Sequence, residues 1–155
     1  MITERVGDLF QSPMQTIAIT INVVGAMGKG VAKTCKELYP ECLPEYLKHY
    51  KYGYDTPVSY DSYLERAVRT LRTFKIDEKR QLLFFPTKQH WRMPSSLEWI
   101  EDNLITLTEK YQDLGITSLA LPPLGCGNGG LERNVVFPLI YRRLKGLDIP
   151  IELYV

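Results

Sequence analysis

Seven glycines in two short stretches carry the most chemical promise in this chain. Gly25, Gly28 and Gly30 fall in TIAITINVVGAMGKGV (16–31); Gly125, Gly127, Gly129 and Gly130 fall in LPPLGCGNGGLE (121–132). Glycine leaves backbone amides bare, so an anion can approach closely, and a helix that follows adds its positive N-terminus to the same spot. The first loop sets Lys29 between glycines, but it is not a Walker A loop: only two residues separate Gly25 from Gly28, and Gly30 stands where a Ser or Thr would bind magnesium. The second loop matches GxGxxG through Gly125, Gly127 and Gly130, with Asp148 near the distance of a ribose-binding acid. Pro122 and Pro123 nevertheless separate the strand from the glycines, and Asp148 begins the last strand rather than ending one, so a dinucleotide-binding dehydrogenase fits poorly. Two glycine loops, each after a buried strand and before a helix, point instead to two walls around one diphosphate.

These loops need elements to hold them. Ile17, Ile19 and Ile21 alternate with Ala18, Thr20 and Asn22, which predicts a strand that breaks at Gly25. Further strands are expected over Ile2–Val6, Val68–Phe74, Gln81–Phe85, Ser118–Leu121 and Ile149–Tyr154. Leu82 to Phe85 are apolar without alternation, as in a strand buried on both faces at the centre of a sheet. That strand is expected to end at Pro86, leaving Thr87, Lys88, Gln89, His90 and Trp91 as a polar loop. Helices are expected over Val31–Tyr39, from Leu43 to about Tyr52 with Pro44 in the first turn, from a capping box at Ser95 and Glu98 to Gly115, and over Val135–Leu144 with Asn134 as cap. The alternation predicts a single α/β domain over residues 1–155, a three-layer α/β/α sandwich around a mixed sheet. Ligands of such sheets bind beyond the carboxyl ends of the strands, where Asn22, both glycine loops and the Lys88 segment would converge.

At 155 residues, with 45% hydrophobic and 24% charged residues, the chain has an ordinary globular composition. Its apolar runs are too short to span a bilayer and MITERVGDLF is no signal sequence, so a cytoplasmic protein without a membrane partner is expected. A net charge of +1 imposes no global attraction to nucleic acid. Cys35, Cys42 and Cys126 are odd in number and lack CxxC spacing, and His49 and His90 are the only imidazoles, so neither a disulfide framework nor a metal centre is expected. Six of the ten tyrosines lie between Tyr46 and Tyr63; they suit a core edge better than a base-stacking surface. Asp8, just after the first strand, is as well read as a loop-amide acceptor as a ligand contact.

GDLF (7–10), INVVGAMGKGVA (21–32), FPTKQHW (85–91) and LPPLGCGNGGLE (121–132) resemble, in order and over almost the whole chain, the macrodomain family of ADP-ribose-binding proteins. Within it they most resemble the DarG antitoxin macrodomains, with the human terminal ADP-ribose glycohydrolase as a relative. The resemblance implies that Asp8 and the neighbouring Leu9 meet the adenine. It implies that Gly25, Met27, Gly28, Gly30 and Val31 of one loop and Gly125, Cys126, Gly127, Asn128, Gly129, Gly130 and Leu131 of the other wrap the diphosphate and distal ribose. Asn22 would bond near the distal ribose as a catalytic residue, Thr87 would line the site, and Lys88, aligned with the family's lysine, would be the attacking catalytic group. An amine beside a buried strand loses pKa by desolvation and becomes a nucleophile. His90 and Trp91 would touch a base of the substrate or anchor the loop.

Three departures from the family pattern stand out. Ile19 occupies a position where many macrodomains have Asn, and Gly129 stands where the human relative has an acid. Full DarG proteins carry a second domain that holds the toxin, so direct toxin binding is not expected of this length of chain. The implied activity is an ADP-ribosyl glycohydrolase acting on thymidine-linked ADP-ribose in single-stranded DNA, as a monomer and without cofactor or metal. The alternatives are a non-catalytic ADP-ribose reader and a hydrolase of protein-linked or small ADP-ribose derivatives.

Overall fold

The computed structural model describes residues 1–50 and 69–155. Six strands form one mixed sheet: β1 (Ile2–Arg5), β2 (Thr16–Asn22), β3 (Arg72–Lys75), β4 (Gln81–Lys88), β5 (Leu119–Leu121) and β6 (Ile151–Tyr154). Their order across the sheet is β1-β6-β5-β2-β4-β3, and only β3, at one edge, runs antiparallel. Among the described residues, four helices cover it: α1 (Gly30–Leu38), α2 (Cys42–Tyr50), α3 (Leu97–Lys110) and α4 (Arg133–Leu144).

The pleat sorts the core into two halves. Ile17, Ile19 and Ile21 of β2, with Leu82 and Phe84 of β4, face α1 and α2. Ala18, Leu83 and Phe85 face the other way, against Ile100, Leu104 and Leu107 of α3 and Val136, Ile140 and Leu144 of α4. The expected three-layer α/β/α sandwich is thus the fold. Tyr46 and Tyr50 are fully buried against Phe84, as the core-edge reading requires. Tyr52, Tyr54, Tyr60, Tyr63, the expected end of α2 and Val68 lie outside the described residues, while residues 69–71, expected in a strand, are a turn and irregular chain ahead of β3.

Several boundaries differ from expectation, each for a local reason. β4 does not stop at Pro86 but continues to Lys88. The ladder with the antiparallel neighbour β3 runs from Gln81 to Phe84, where β3 begins, so Pro86 lies beyond it, where a proline is tolerated. The Pro86 carbonyl instead accepts from Asn103 Nδ2 at 2.9 Å. The cap of α3 is Ser96, whose hydroxyl accepts from the Trp99 N–H at 3.2 Å, not Ser95. α4 starts at Arg133, two residues earlier than expected, with Glu132 rather than Asn134 at the cap position. Among the described residues, no helix is long and apolar enough to cross a membrane.

Candidate functional site

β4, β2 and β5 are adjacent and parallel, so the segments that leave their carboxyl ends meet at one edge of the sheet. They enclose a cavity of about 550 Å³ lined by Asn22, Gly28, Gly30 and Val31 on the β2 side, Thr87, Lys88 and Trp91 on the β4 side, and Gly125, Cys126, Gly127, Asn128 and Gly129 on the β5 side. Most of the residues expected at a site are therefore brought together. Asp8, Leu9, Gly25, Met27, His90, Gly130 and Leu131 are not among the lining residues.

The first loop is shaped by Asn22. Its Oδ1 accepts from the Val24 and Ala26 N–H groups at 3.2 and 3.3 Å and from the Tyr46 hydroxyl at 2.8 Å, while Nδ2 donates to the Ala26 carbonyl at 2.7 Å. The carboxamide thus holds the turn that delivers Gly28 to Gly30 to the cavity. Met27 is buried in the core half beneath it. At the end of that turn Gly30 has φ +59°, and a Cβ there would lie 3.1 Å from Asn128 Nδ2 of the other loop, so the two walls touch where only glycine fits. α1 starts at Gly30 with Lys29 at its cap position, and the Lys29 side chain makes no capping bond to its first amides.

The second loop folds as a short 3-10 turn over Gly127–Gly129, closed by the Leu131 N–H to the Gly125 carbonyl at 3.0 Å. Gly125, at φ +72°, is packed so tightly that a Cβ would come within 2.6 Å of Ile100 and 2.8 Å of Leu131. Cys126 faces the cavity, and burial pushes its thiol up, with Arg133 acting in opposition. It is a protonated thiol at neutral pH rather than a nucleophile.

Lys88 owes its direction to a bulge. The β2–β4 pairing passes from Ile21 opposite Pro86 to Asn22 opposite Lys88, leaving Thr87 as an extra residue. Neighbours on a regular strand face opposite sides, yet Thr87 and Lys88 both line the cavity; the bulge makes that possible. Partial burial draws the Lys88 amine below the ordinary lysine value, and the charge of Lys29 adds to the effect. Beyond it, His90 and Trp91 rings lie 5.2 Å apart at 33°, and the Arg92 guanidinium sits 4.6 Å from the Trp91 ring centre. Asp8 is exposed, and its Oδ1 accepts from the Phe10 N–H at 2.9 Å, capping the 3-10 turn Leu9–Gln11. Leu9 is buried against the same core half as Met27.

Lys29, Lys88 and Arg133 line the cavity, and among the described residues no carboxylate does. A chain of net charge +1 therefore gathers three cations at one site, the electrostatics of an anion receptor. Sequence reasoning passed over three of these lining residues. Lys29 looks like a solvated loop charge, Arg133 sits on a helix whose start was placed two residues late, and Ser95 was read as a cap.

The family model described as Macro domain matches residues 19–140. A protein of Thermosipho africanus named DNA ADP-ribosyl transferase-DNA ADP-ribosyl glycohydrolase fusion protein is 40% identical over 157 residues, covering 96% of this chain and 40% of that relative. The chain thus spans well under half the length of this curated relative. Among solved structures, the macrodomain of Thermus aquaticus DarG superposes with a TM-score of 0.82 at 33% identity, covering all of this chain and 98% of that one. Thermosipho africanus DarTG in complex with ADP-ribose superposes with a TM-score of 0.77 at 37% identity, covering 96% of this chain and 39% of that one.

Proposed function

As the chain belongs to the macro domain family, and to its DarG type, we propose that it is a DNA ADP-ribosyl glycohydrolase, removing ADP-ribose from thymidine in single-stranded DNA with Lys88 as the attacking group. The observation that carries this reading is the placement of a partly desolvated lysine at the end of β4, in a cavity whose other walls are two glycine loops and two further cations. The loops and Lys29 and Arg133 suit a diphosphate: amides and cations answer its two negative charges. The related DarTG structure holds ADP-ribose.

In the reaction the neutral Lys88 amine donates its lone pair to C1'' of the distal ribose as the bond from C1'' to the thymine nitrogen breaks. The attacking nitrogen, now a secondary ammonium, passes its extra proton through water to the leaving thymine nitrogen. Water then hydrolyses the lysine adduct, releasing ADP-ribose and returning the amine. Lys29 favours this chemistry by disfavouring a second positive charge beside it. Trp91, at the cavity wall three residues beyond Lys88 and stacked with His90 and Arg92, offers an aromatic surface to the thymine that departs.

Incubation with an oligonucleotide carrying ADP-ribosylated thymidine tests the reading. Release of free ADP-ribose is expected, with a loss of at least 100-fold in Lys88→Ala, the scale on which removal of a reacting group acts. No release by the unaltered protein, or undiminished release by the variant, refutes it.

One observation favours a second reading. With no carboxylate among the described lining residues, the cavity holds no general acid or base beyond Lys88. A non-catalytic ADP-ribose reader would show tight binding by calorimetry and no turnover of DNA-linked, protein-linked or small ADP-ribose derivatives.

A further inference from the structure

Ser95 is 6% exposed, lines the cavity, and lies between the strand that carries Lys88 and the second glycine loop. Its N–H donates to the Gly129 carbonyl at 2.7 Å, and its hydroxyl donates to Thr87 Oγ1 at 3.4 Å. The next residue, Ser96, donates its N–H to the Thr87 carbonyl at 2.7 Å. Thr87, the bulged residue just before Lys88, is therefore held at its side chain and its main chain by one two-residue segment. The same segment grips the second loop.

The space around Gly129 shows what the Ser95 side chain excludes. Gly129 has no positive φ, so its backbone would accept any residue. A Cβ there would nevertheless lie 2.4 Å from Ser95 Oγ and 3.1 Å from Ser95 Cβ. The glycine is required by its neighbour and not by its own conformation. We propose that Ser95 is a positioning residue for Lys88, and that its side chain occupies the space that any side chain at position 129 would need.

The proposal rests on the glycohydrolase reading, and the experiment keeps the two apart. Four proteins are compared: unaltered, Ser95→Ala, Gly129→Ala and the double variant Ser95→Gly with Gly129→Ala. ADP-ribose affinity is measured by calorimetry, kcat and KM on the ADP-ribosylated oligonucleotide, and folding by thermal unfolding. Ser95→Ala is expected to keep ADP-ribose affinity within about threefold and to lower kcat about tenfold with KM unchanged, because Lys88 loses alignment while the loops keep their amides. Gly129→Ala is expected to lose at least tenfold in affinity, and the double variant to recover it while its kcat stays low. An unaltered kcat in Ser95→Ala, or equal affinity losses in Gly129→Ala and the double variant, overturns the proposal. Absence of turnover in the unaltered protein defeats the glycohydrolase reading, and the positioning role with it; the affinity rescue then still decides whether Ser95 excludes a side chain at position 129.

Discussion

Asn22→Ala separates two roles for the residue that ends β2. In the structure its carboxamide makes four hydrogen bonds, all within the protein: two at 2.7 and 2.8 Å, and two longer ones at 3.2 and 3.3 Å. The Tyr46 hydroxyl would keep a partner, because it also reaches the Asn22 carbonyl at 2.8 Å, but the buried Val24 N–H would lose its acceptor. Counting about 1 kcal/mol for each short bond and less for the long ones gives a loss of about 2–3 kcal/mol. For a chain of this size that lowers the melting temperature by about 4–12 °C. Because the same turn carries Gly28, Lys29 and Gly30 into the cavity, ADP-ribose affinity is expected to fall by about tenfold, equivalent to about 1.4 kcal/mol. Urea unfolding and calorimetry measure the two losses independently. A variant with normal unfolding and normal ADP-ribose affinity but no turnover would refute this reasoning and move the carboxamide from the loop to the reacting ribose.

Other substitutions test other parts of the molecule. The proposed reacting form of Lys88 is its neutral amine, and Lys29 helps to depress its pKa, so activity should rise with pH towards that depressed value; Lys29→Gln should shift the rising limb of the kcat profile to higher pH, and an unmoved limb would remove Lys29 from the chemistry. Glu152 is buried, and three donors, Ser12 at 2.6 Å, Arg5 at 2.9 Å and Tyr154 at 3.1 Å, overcome the effect of burial and hold its carboxyl below the ordinary 4.5. Its stabilisation is complete above that ordinary value and is lost as the pH falls through the lower folded one. Glu152→Gln should thus cost about 2 kcal/mol at pH 7, and the gap in urea midpoint should close in strong acid. Ser96→Ala should cost about 1 kcal/mol of stability through the lost cap of α3, readable as a shift in urea midpoint.

Elements whose signal is local were legible in the sequence. The isoleucine alternation of β2 and the two-faced run Leu82–Phe85 gave the sheet its central strands, and the glycine spacing marked both loops. What was hidden depends on partners far along the chain. Pro86 is tolerated within β4 because the ladder with β3 stops at Phe84, where β3 begins, and the bulge at Thr87 arises only when β2 and β4 are laid side by side. Adjacent serines read almost identically as caps, so nothing local tells Ser96 from Ser95; the third dimension gives one to the helix and the other to the cavity. Lys29 and Arg133 lie 104 positions apart in the chain, and their meeting is a property of the topology alone.

The bare start of α1 has a consequence for motion. A nine-residue helix is marginal by itself, and this one begins without a capping acceptor in the side chain at its cap position. A phosphate seated at Gly30 would supply that acceptor and become, in effect, part of the helix. Binding energy would then be spent on order as well as contact, and occupancy should slow amide hydrogen exchange in α1 as far as Cys35 and beyond, residues that do not line the cavity. The protein would report its bound nucleotide by the quietness of a helix on its flank.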